Sequence, residues 1–144
     1  MPGMRLLFFF FAVLLWVQCT RHKPGEAFAQ QALVQKDPHK SLELIEKAIS
    51  LKPRVFHWWA HKATYQARTG DFEGALVSIK KAKDLHTKKV AEYEDAEGLF
   101  LLALGKRQLS IDQFKIAQDL YSQRITSGEK LENNHFARGL SSRP

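Results

Sequence analysis

The chain has 144 residues and a formal net charge of +7, a balance that suggests anionic surroundings. Residues 19–144 are enough for one domain of the usual size. The single cysteine excludes an intramolecular disulfide.

The first predicted element is an apolar run near the amino terminus. After Arg5, residues 6–17 form an uninterrupted apolar stretch of 12 residues. A membrane-spanning helix needs about 20 apolar residues, whereas the core of a secretory signal is shorter. The run therefore predicts that residues 1–18 are a signal peptide and that the chain is exported.

Cys19 follows this run and precedes a polar stretch, residues 20–25. The arrangement resembles a bacterial lipoprotein signal, which implies lipidation of Cys19, a short tether over residues 19–24 and attachment to the bacterial cell envelope. Trp16 and Gln18 depart from the pattern, which prefers leucine and a small residue at those positions. Two alternatives stay open, namely an uncleaved short membrane anchor and simple secretion without lipid.

A pattern of small and large residues then occurs three times, at spacings of 34 and 35 residues. In each copy a small residue is followed by a large one after four positions, a small one after three more and a leucine after another three. These offsets place all four residues on one face of a helix. The three copies are Ser41, Ile45, Ala48 and Leu51; Ala75, Ile79, Ala82 and Leu85; and Ser110, Phe114, Ala117 and Leu120.

A second helix precedes each copy, so the sequence predicts three helical hairpins. The first helices cover about residues 25–34, 56–68 and 91–104, and the second cover 37–51, 71–85 and 106–120, with an extension to 124. Gly70 and Gly105 provide the left-handed conformation that ends a helix, and Asp71 is placed to cap the next helix. Pro38 is tolerated in the first turn of its helix.

These hairpins resemble the tetratricopeptide repeat (TPR) family. The second copy matches best, at Trp59, Ala63, Gly70, Asp71, Phe72, Glu73, Ala75, Ile79 and Ala82. Gln66 departs from the family, which usually has an aromatic residue there. The resemblance implies an all-α fold, a short α-solenoid of about three TPR-like hairpins over residues 25–124. Residues 125–144 are predicted to be a partial cap, through Leu131 and Phe136, and a loose tail.

The resemblance also implies a partner-binding groove, because the first helix of each hairpin lines a concave surface in that family. Carried over by position, the groove residues are Glu26, Gln30, Val34, His57, Ala60, Thr64, Arg68, Glu92, Asp95 and Leu99. The paired lysines and asparagines that clamp a terminal carboxylate in some members are absent, so the groove is expected to bind a mixed-charge segment. Trp58 is either an aromatic anchor for that segment or a packing residue.

No enzymatic site is expected. His57 and His61 lie four residues apart and could share a metal, but neither a third ligand nor the glutamate of a zinc protease motif accompanies them. The sequence therefore predicts no catalytic residue, no metal and no cofactor. A lysine-rich stretch, with Lys80, Lys81, Lys83, Lys88 and Lys89, fits a solvated helix end or an anionic membrane or acidic partner better than nucleic acid.

Two functions follow from these observations. The first is a protein–protein adaptor, tethered to the envelope by lipidated Cys19, that binds another envelope protein or a peptide segment. The second is a structural subunit that assembles through the end faces of its repeats, with homo- or hetero-oligomers as the product. Neither function involves nucleic acid.

Overall fold

The computed structural model of the protein describes residues 23–127. The predicted signal peptide, the lipidation site Cys19 and the cap residues Leu131 and Phe136 lie outside the described residues.

The described residues form six α-helices and contain no strand, which confirms the predicted all-α class. They group into two compact units, one ending at His86 and the other beginning at Thr87. The helices are α1 (Pro24–Val34), α2 (Pro38–Leu51), α3 (Phe56–Arg68), α4 (Phe72–Leu85), α5 (Ala91–Ala103) and α6 (Arg107–Thr126). Unit 1 holds hairpin 1, made of α1 and α2, and hairpin 2, made of α3 and α4. Unit 2 holds hairpin 3, made of α5 and α6.

The helix boundaries follow from local chemistry. Asp37 caps α2 by accepting a hydrogen bond from the backbone N–H of His39 at 3.0 Å, and Pro38 occupies the first turn. The side chain of Asp71 caps α4 by accepting from the N–H of Gly74 at 2.8 Å. Gly70 has a φ of 87°, a left-handed conformation that costs glycine little and ends α3. The predicted stop and start signals are therefore used as expected.

In α2 and α4 the repeated face is buried over its first three positions, whereas Phe114, at the second position in α6, is half-buried. Ser41, Ile45 and Ala48 are completely inaccessible to solvent in α2, and the corresponding residues of α4 are at most 2% exposed. The fourth position was predicted wrongly for hairpin 1, because Leu51 is 50% exposed. Leu51 is the last residue of α2, so the chain turns away before its side chain can be covered.

Two contacts between α1 and α3 join hairpins 1 and 2 within unit 1. The phenolic O–H of Tyr65 donates to the carbonyl oxygen of Ala32 at 3.1 Å, and Tyr65 is buried. At the other end, the ring of Trp58 lies so close to Gly25 that a Cβ atom there would come within 2.9 Å of it. The first helices of the two hairpins therefore touch through side chains at two places, and Gly25 is needed because of the close approach of Trp58.

Hairpin 2 contains a buried polar network where the TPR family usually has an aromatic residue. Ser78 donates to the side-chain oxygen of Gln66 at 2.6 Å, and the amide nitrogen of Gln66 donates to Asp71 at 3.1 Å. Gln66 is 8% exposed and Ser78 is 1% exposed. A buried amide needs partners for both of its ends, and this one has them. The departure at Gln66 is thus matched by polar residues on α4 and in the connecting loop.

Unit 2 is a hairpin with one long helix. α6 has 20 residues, whereas α2 and α4 have 14 each. α5 packs against α6 through Gly98, where an added Cβ would lie 2.6 Å from the ring of Phe114. The last turns of α6 carry Tyr121 and Arg124 and end at Thr126, two residues beyond the predicted extension.

Candidate functional site

The predicted groove residues of unit 1 lie on two neighbouring helices. Four of them, His57, Ala60, Thr64 and Arg68, follow one another at helical spacing along α3, and we call this set the α3 face. His57 and Arg68 are exposed, whereas Ala60 and Thr64 are half-buried. Gln30 is exposed on α1. The α3 face therefore presents side chains of varied chemistry at a partly accessible surface.

The charge on this face comes from Arg68. Its guanidinium group forms no ion pair with any described residue. Two carboxylates elsewhere in unit 1 are bonded to lysines, since Glu26 accepts from Lys52 at 2.6 Å and Glu46 pairs with Lys62 at 2.9 Å. Arg68 is thus a cation in unit 1 that is available to an external anion.

A group of aromatic side chains occupies the first half of α3. The rings of His57 and His61 are 6.4 Å apart at an angle of 85°, and His61 stacks on Tyr65 at 6.5 Å. The ring of Phe56 makes edge contacts with His57 and His86, at centroid distances of 5.4 and 4.4 Å. Neither His57 nor His61 forms a hydrogen bond with the residues that the structure describes.

Burial changes the acid–base behaviour of this pair. It lowers the pKa of both His57 and His61. The charge of a protonated His57 lowers the pKa of His61 further. Both imidazoles consequently favour their neutral form at physiological pH.

Trp58 is a packing residue. It is 4% exposed and its ring covers Gly25 of α1. Of the two interpretations that the sequence left open, burial therefore excludes the aromatic anchor, because a partner cannot reach the ring.

The predicted groove residues of unit 2 share one face of α5 but differ in their surroundings. Leu99 is 48% exposed. Glu92 accepts two hydrogen bonds from Arg124, at 2.7 and 3.2 Å, in a bidentate ion pair. Partial burial, and then the neighbouring charge of Glu92, raise the pKa of Asp95. Glu92 is therefore engaged within hairpin 3, and Leu99 is the most open of the three.

The sequence reasoning missed the role of Arg124. Its side chain bonds Glu92 and lies over the ring of Tyr121 at 5.7 Å. It also lines a cavity of about 330 Å³ in unit 2, together with Lys89, Leu120, Gln123 and Ser127. The signal in the sequence that pointed toward these contacts was the predicted extension of the last helix, because it places Tyr121 and Arg124 beyond the repeated face.

Between residues 23 and 127, no three His, Cys, Asp or Glu side chains come together as metal ligands. None of the helices in that range has the length and apolarity needed to cross a membrane.

The comparisons with known proteins concern the fold. No known protein family matches the chain by sequence, and no curated protein matches it either. Among solved structures, the chain is similar to the crystal structure of MamA, with a TM-score of 0.65 and 14% sequence identity. The match covers 71% of this chain and 61% of the MamA chain, so this chain spans less than two thirds of MamA.

MamA has a TPR-type fold, and the similarity confirms the predicted TPR-like helical-repeat architecture. An identity of 14% supports a shared fold and carries no residue roles from one protein to the other.

Proposed function

We propose that the protein is a non-catalytic scaffold that binds another protein, with the α3 face as the centre of its binding surface. The fold supports this proposal, because stacked helical hairpins offer extended surfaces to partners. The observation that carries it is the α3 face itself, where Arg68 is exposed and has no ion-pair partner among the described residues.

The surface beside Arg68 suggests which kind of partner segment would bind there. Leu33 and Val34, at the end of α1, are 55% and 82% exposed. The bond between Tyr65 and Ala32 brings this end of α1 next to the last turn of α3, where Arg68 lies. A partner segment with a carboxylate beside an aliphatic side chain would complement both features.

Gln30, on α1, is proposed to extend this surface, and Glu92, Asp95 and Leu99, on α5, are proposed to form a separate contact surface of unit 2. Leu99 would add apolar contact area. Glu92 would act less directly, because its carboxylate is held by Arg124.

We further propose that the scaffold is tethered to the bacterial cell envelope through a lipid on Cys19. The apolar run before Cys19 and the polar stretch after it support this proposal. The test is the intact mass of the protein purified from the membrane fraction of a bacterial host. A mass for residues 19–144 plus acyl chains, and release into the soluble fraction by Cys19→Ala, are expected. An unmodified full-length chain would indicate an uncleaved anchor, and an unmodified trimmed chain would indicate simple secretion.

The binding proposal is tested by co-purification of partners from the envelope of the native host. The triple variant His57→Ala, Thr64→Ala, Arg68→Ala is compared with a control, Glu43→Ala and Lys47→Ala, which removes an exposed ion pair on α2. We expect the triple variant to lose its partner and the control to keep it. Retention of the same complex by the triple variant would contradict recognition by the α3 face and favour a structural subunit that assembles through its end faces.

A further inference from the structure

We propose that His57 and His61 form an open two-histidine site for a divalent transition metal ion of the Cu²⁺, Ni²⁺ and Zn²⁺ class. The proposal does not depend on the proposed function, because it concerns binding of the metal alone. It rests on the geometry of the two rings, on their lack of hydrogen bonds and on the way one of them is held.

The spacing is the first argument. Residues four apart on a helix are neighbours on its surface, so both imidazoles can reach one ion. Their ring centroids are 6.4 Å apart at 85°. Metal–nitrogen bonds are about 2.0–2.1 Å long, so a shared ion requires the rings to approach each other slightly. His57 is exposed and can supply this movement by turning about its side-chain torsions.

The hydrogen bonding is the second argument. The ring nitrogens of His57 and His61 form no hydrogen bond with the described residues, so no protein group occupies their lone pairs. A metal ion can bind one nitrogen of each neutral ring, which is the usual ligand of these ions.

The support around His61 is the third argument. His61 stacks on Tyr65 at 6.5 Å with 22° between the ring planes. Tyr65 is itself fixed, because its hydroxyl donates to the carbonyl oxygen of Ala32. One ligand is therefore held in place by packing while the other can adjust, and pre-orientation of one ligand lowers the cost of closing the chelate.

Two imidazoles do not complete a coordination sphere. The remaining positions would be filled by water or by a donor atom of a bound partner, because the described residues offer no third ligand. Such a site is expected to follow the general affinity order, in which Cu²⁺ binds more tightly than Ni²⁺ or Zn²⁺. Mg²⁺, which prefers oxygen ligands, is not expected to bind.

The test is calorimetric titration of the full chain with Cu²⁺, Ni²⁺, Zn²⁺ and Mg²⁺. The chain is kept in detergent, carries no histidine tag, and has Cys19→Ser in every sample so that the thiol does not compete. We expect one Cu²⁺ per chain and a loss of affinity of at least tenfold in each of the variants His57→Gln and His61→Gln. The matched control is His39→Gln, which removes an exposed histidine of α2 that has no histidine four residues away.

A spectroscopic measurement on the chain with both histidines makes the result independent of how the variants fold. The electron paramagnetic resonance spectrum of the Cu²⁺-loaded chain is expected to show coupling to two imidazole nitrogens, and His57→Gln is expected to reduce this to one. Unchanged Cu²⁺ affinity in both variants, an equal loss in His39→Gln, or a spectrum without two imidazole ligands would overturn the proposal. Failure of partner binding would leave these readouts unaffected.

Discussion

Hairpins 2 and 3 are held together by different chemistry at opposite ends, next to the turn in hairpin 2 and away from the turn in hairpin 3. In hairpin 2 the buried amide of Gln66 joins Ser78 of α4 to Asp71 in the loop. In hairpin 3 a partly exposed ion pair joins Glu92 and Arg124. The comparison shows that two repeats with the same helical spacing are held together by polar groups that differ both in kind and in place.

The close helix–helix contact differs as well. Gly98 faces Phe114 in hairpin 3. The same two positions of the repeat, 16 residues apart, hold Ala63 and Ile79 in hairpin 2 and an alanine and an isoleucine in hairpin 1. A larger residue on one helix thus accompanies a smaller one on the other, as close packing requires.

The largest expected effect comes from the buried face of hairpin 2. Ile79 is 2% exposed, so Ile79→Ala would leave a cavity and is expected to lower the free energy of unfolding by about 2–5 kcal/mol. Val77→Ala is the control on the same helix, because Val77 is 68% exposed and its loss should have little effect. Urea unfolding followed by circular dichroism measures both. Equal effects would mean that α4 does not pack by the described face.

The second effect concerns the glycine of hairpin 3. Gly98→Ala places a Cβ atom 2.6 Å from the ring of Phe114, and overpacking of this kind costs about 1–3 kcal/mol. The better helix propensity of alanine offsets up to about 1 kcal/mol of that cost.

The double variant Gly98→Ala, Phe114→Ile recreates the pair found in the other two hairpins and should recover stability relative to Gly98→Ala alone. Thermal unfolding of the three chains gives the comparison. If the double variant is less stable than Gly98→Ala alone, the sizes of the residues at positions 98 and 114 do not compensate for each other.

The third effect comes from the polar network of hairpin 2. Gln66→Leu leaves Ser78 buried without its partner and removes a donor from Asp71, which is expected to cost about 1–3 kcal/mol. Gln108→Leu is the control, because Gln108 is exposed on α6. Chemical unfolding measures the difference. If Gln66→Leu leaves the free energy of unfolding unchanged or raises it, an apolar residue is tolerated at this position and the polar network is not needed for stability.

The smallest effect belongs to the ion pair of hairpin 3. Glu92→Gln is expected to cost about 1 kcal/mol or less, and the loss should shrink as salt is added. Glu43→Gln is the matched control, since the pair of Glu43 and Lys47 is more exposed and should contribute still less. Unfolding at low and high ionic strength separates the two. An effect of Glu92→Gln that does not change with salt would indicate that the residue stabilises the hairpin by other means.

Much of the fold could be predicted because its signals are local. Helix periodicity, Gly70, Asp71 and Pro38 act within a few residues, so helix bounds and turns could be read from the sequence. The exposure of Leu51 could not, because it depends on where the chain turns after α2. The pairing of Glu92 with Arg124 joins residues 32 positions apart, and no local pattern indicates which distant cation meets which carboxylate.

The candidate site was harder to predict than the fold. Its residues were assigned by position in a repeat, which gives the helix face but neither the exposure nor the partners of each side chain. Burial decided the role of Trp58, and an ion pair decided the role of Glu92. The availability of Arg68 likewise emerges only when its exposure and the ion pairs of the described residues are known.

Site-specific photo-crosslinking in the native host tests the central claim, partner binding by the α3 face, most directly. A photoreactive amino acid is placed at Thr64 on this face or at the exposed Lys47 of α2. We expect a discrete adduct of defined mass from position 64, its loss when Arg68→Ala is added, and none from position 47. Adducts of equal yield from both positions, or an adduct at position 64 that survives Arg68→Ala unchanged, would contradict the account.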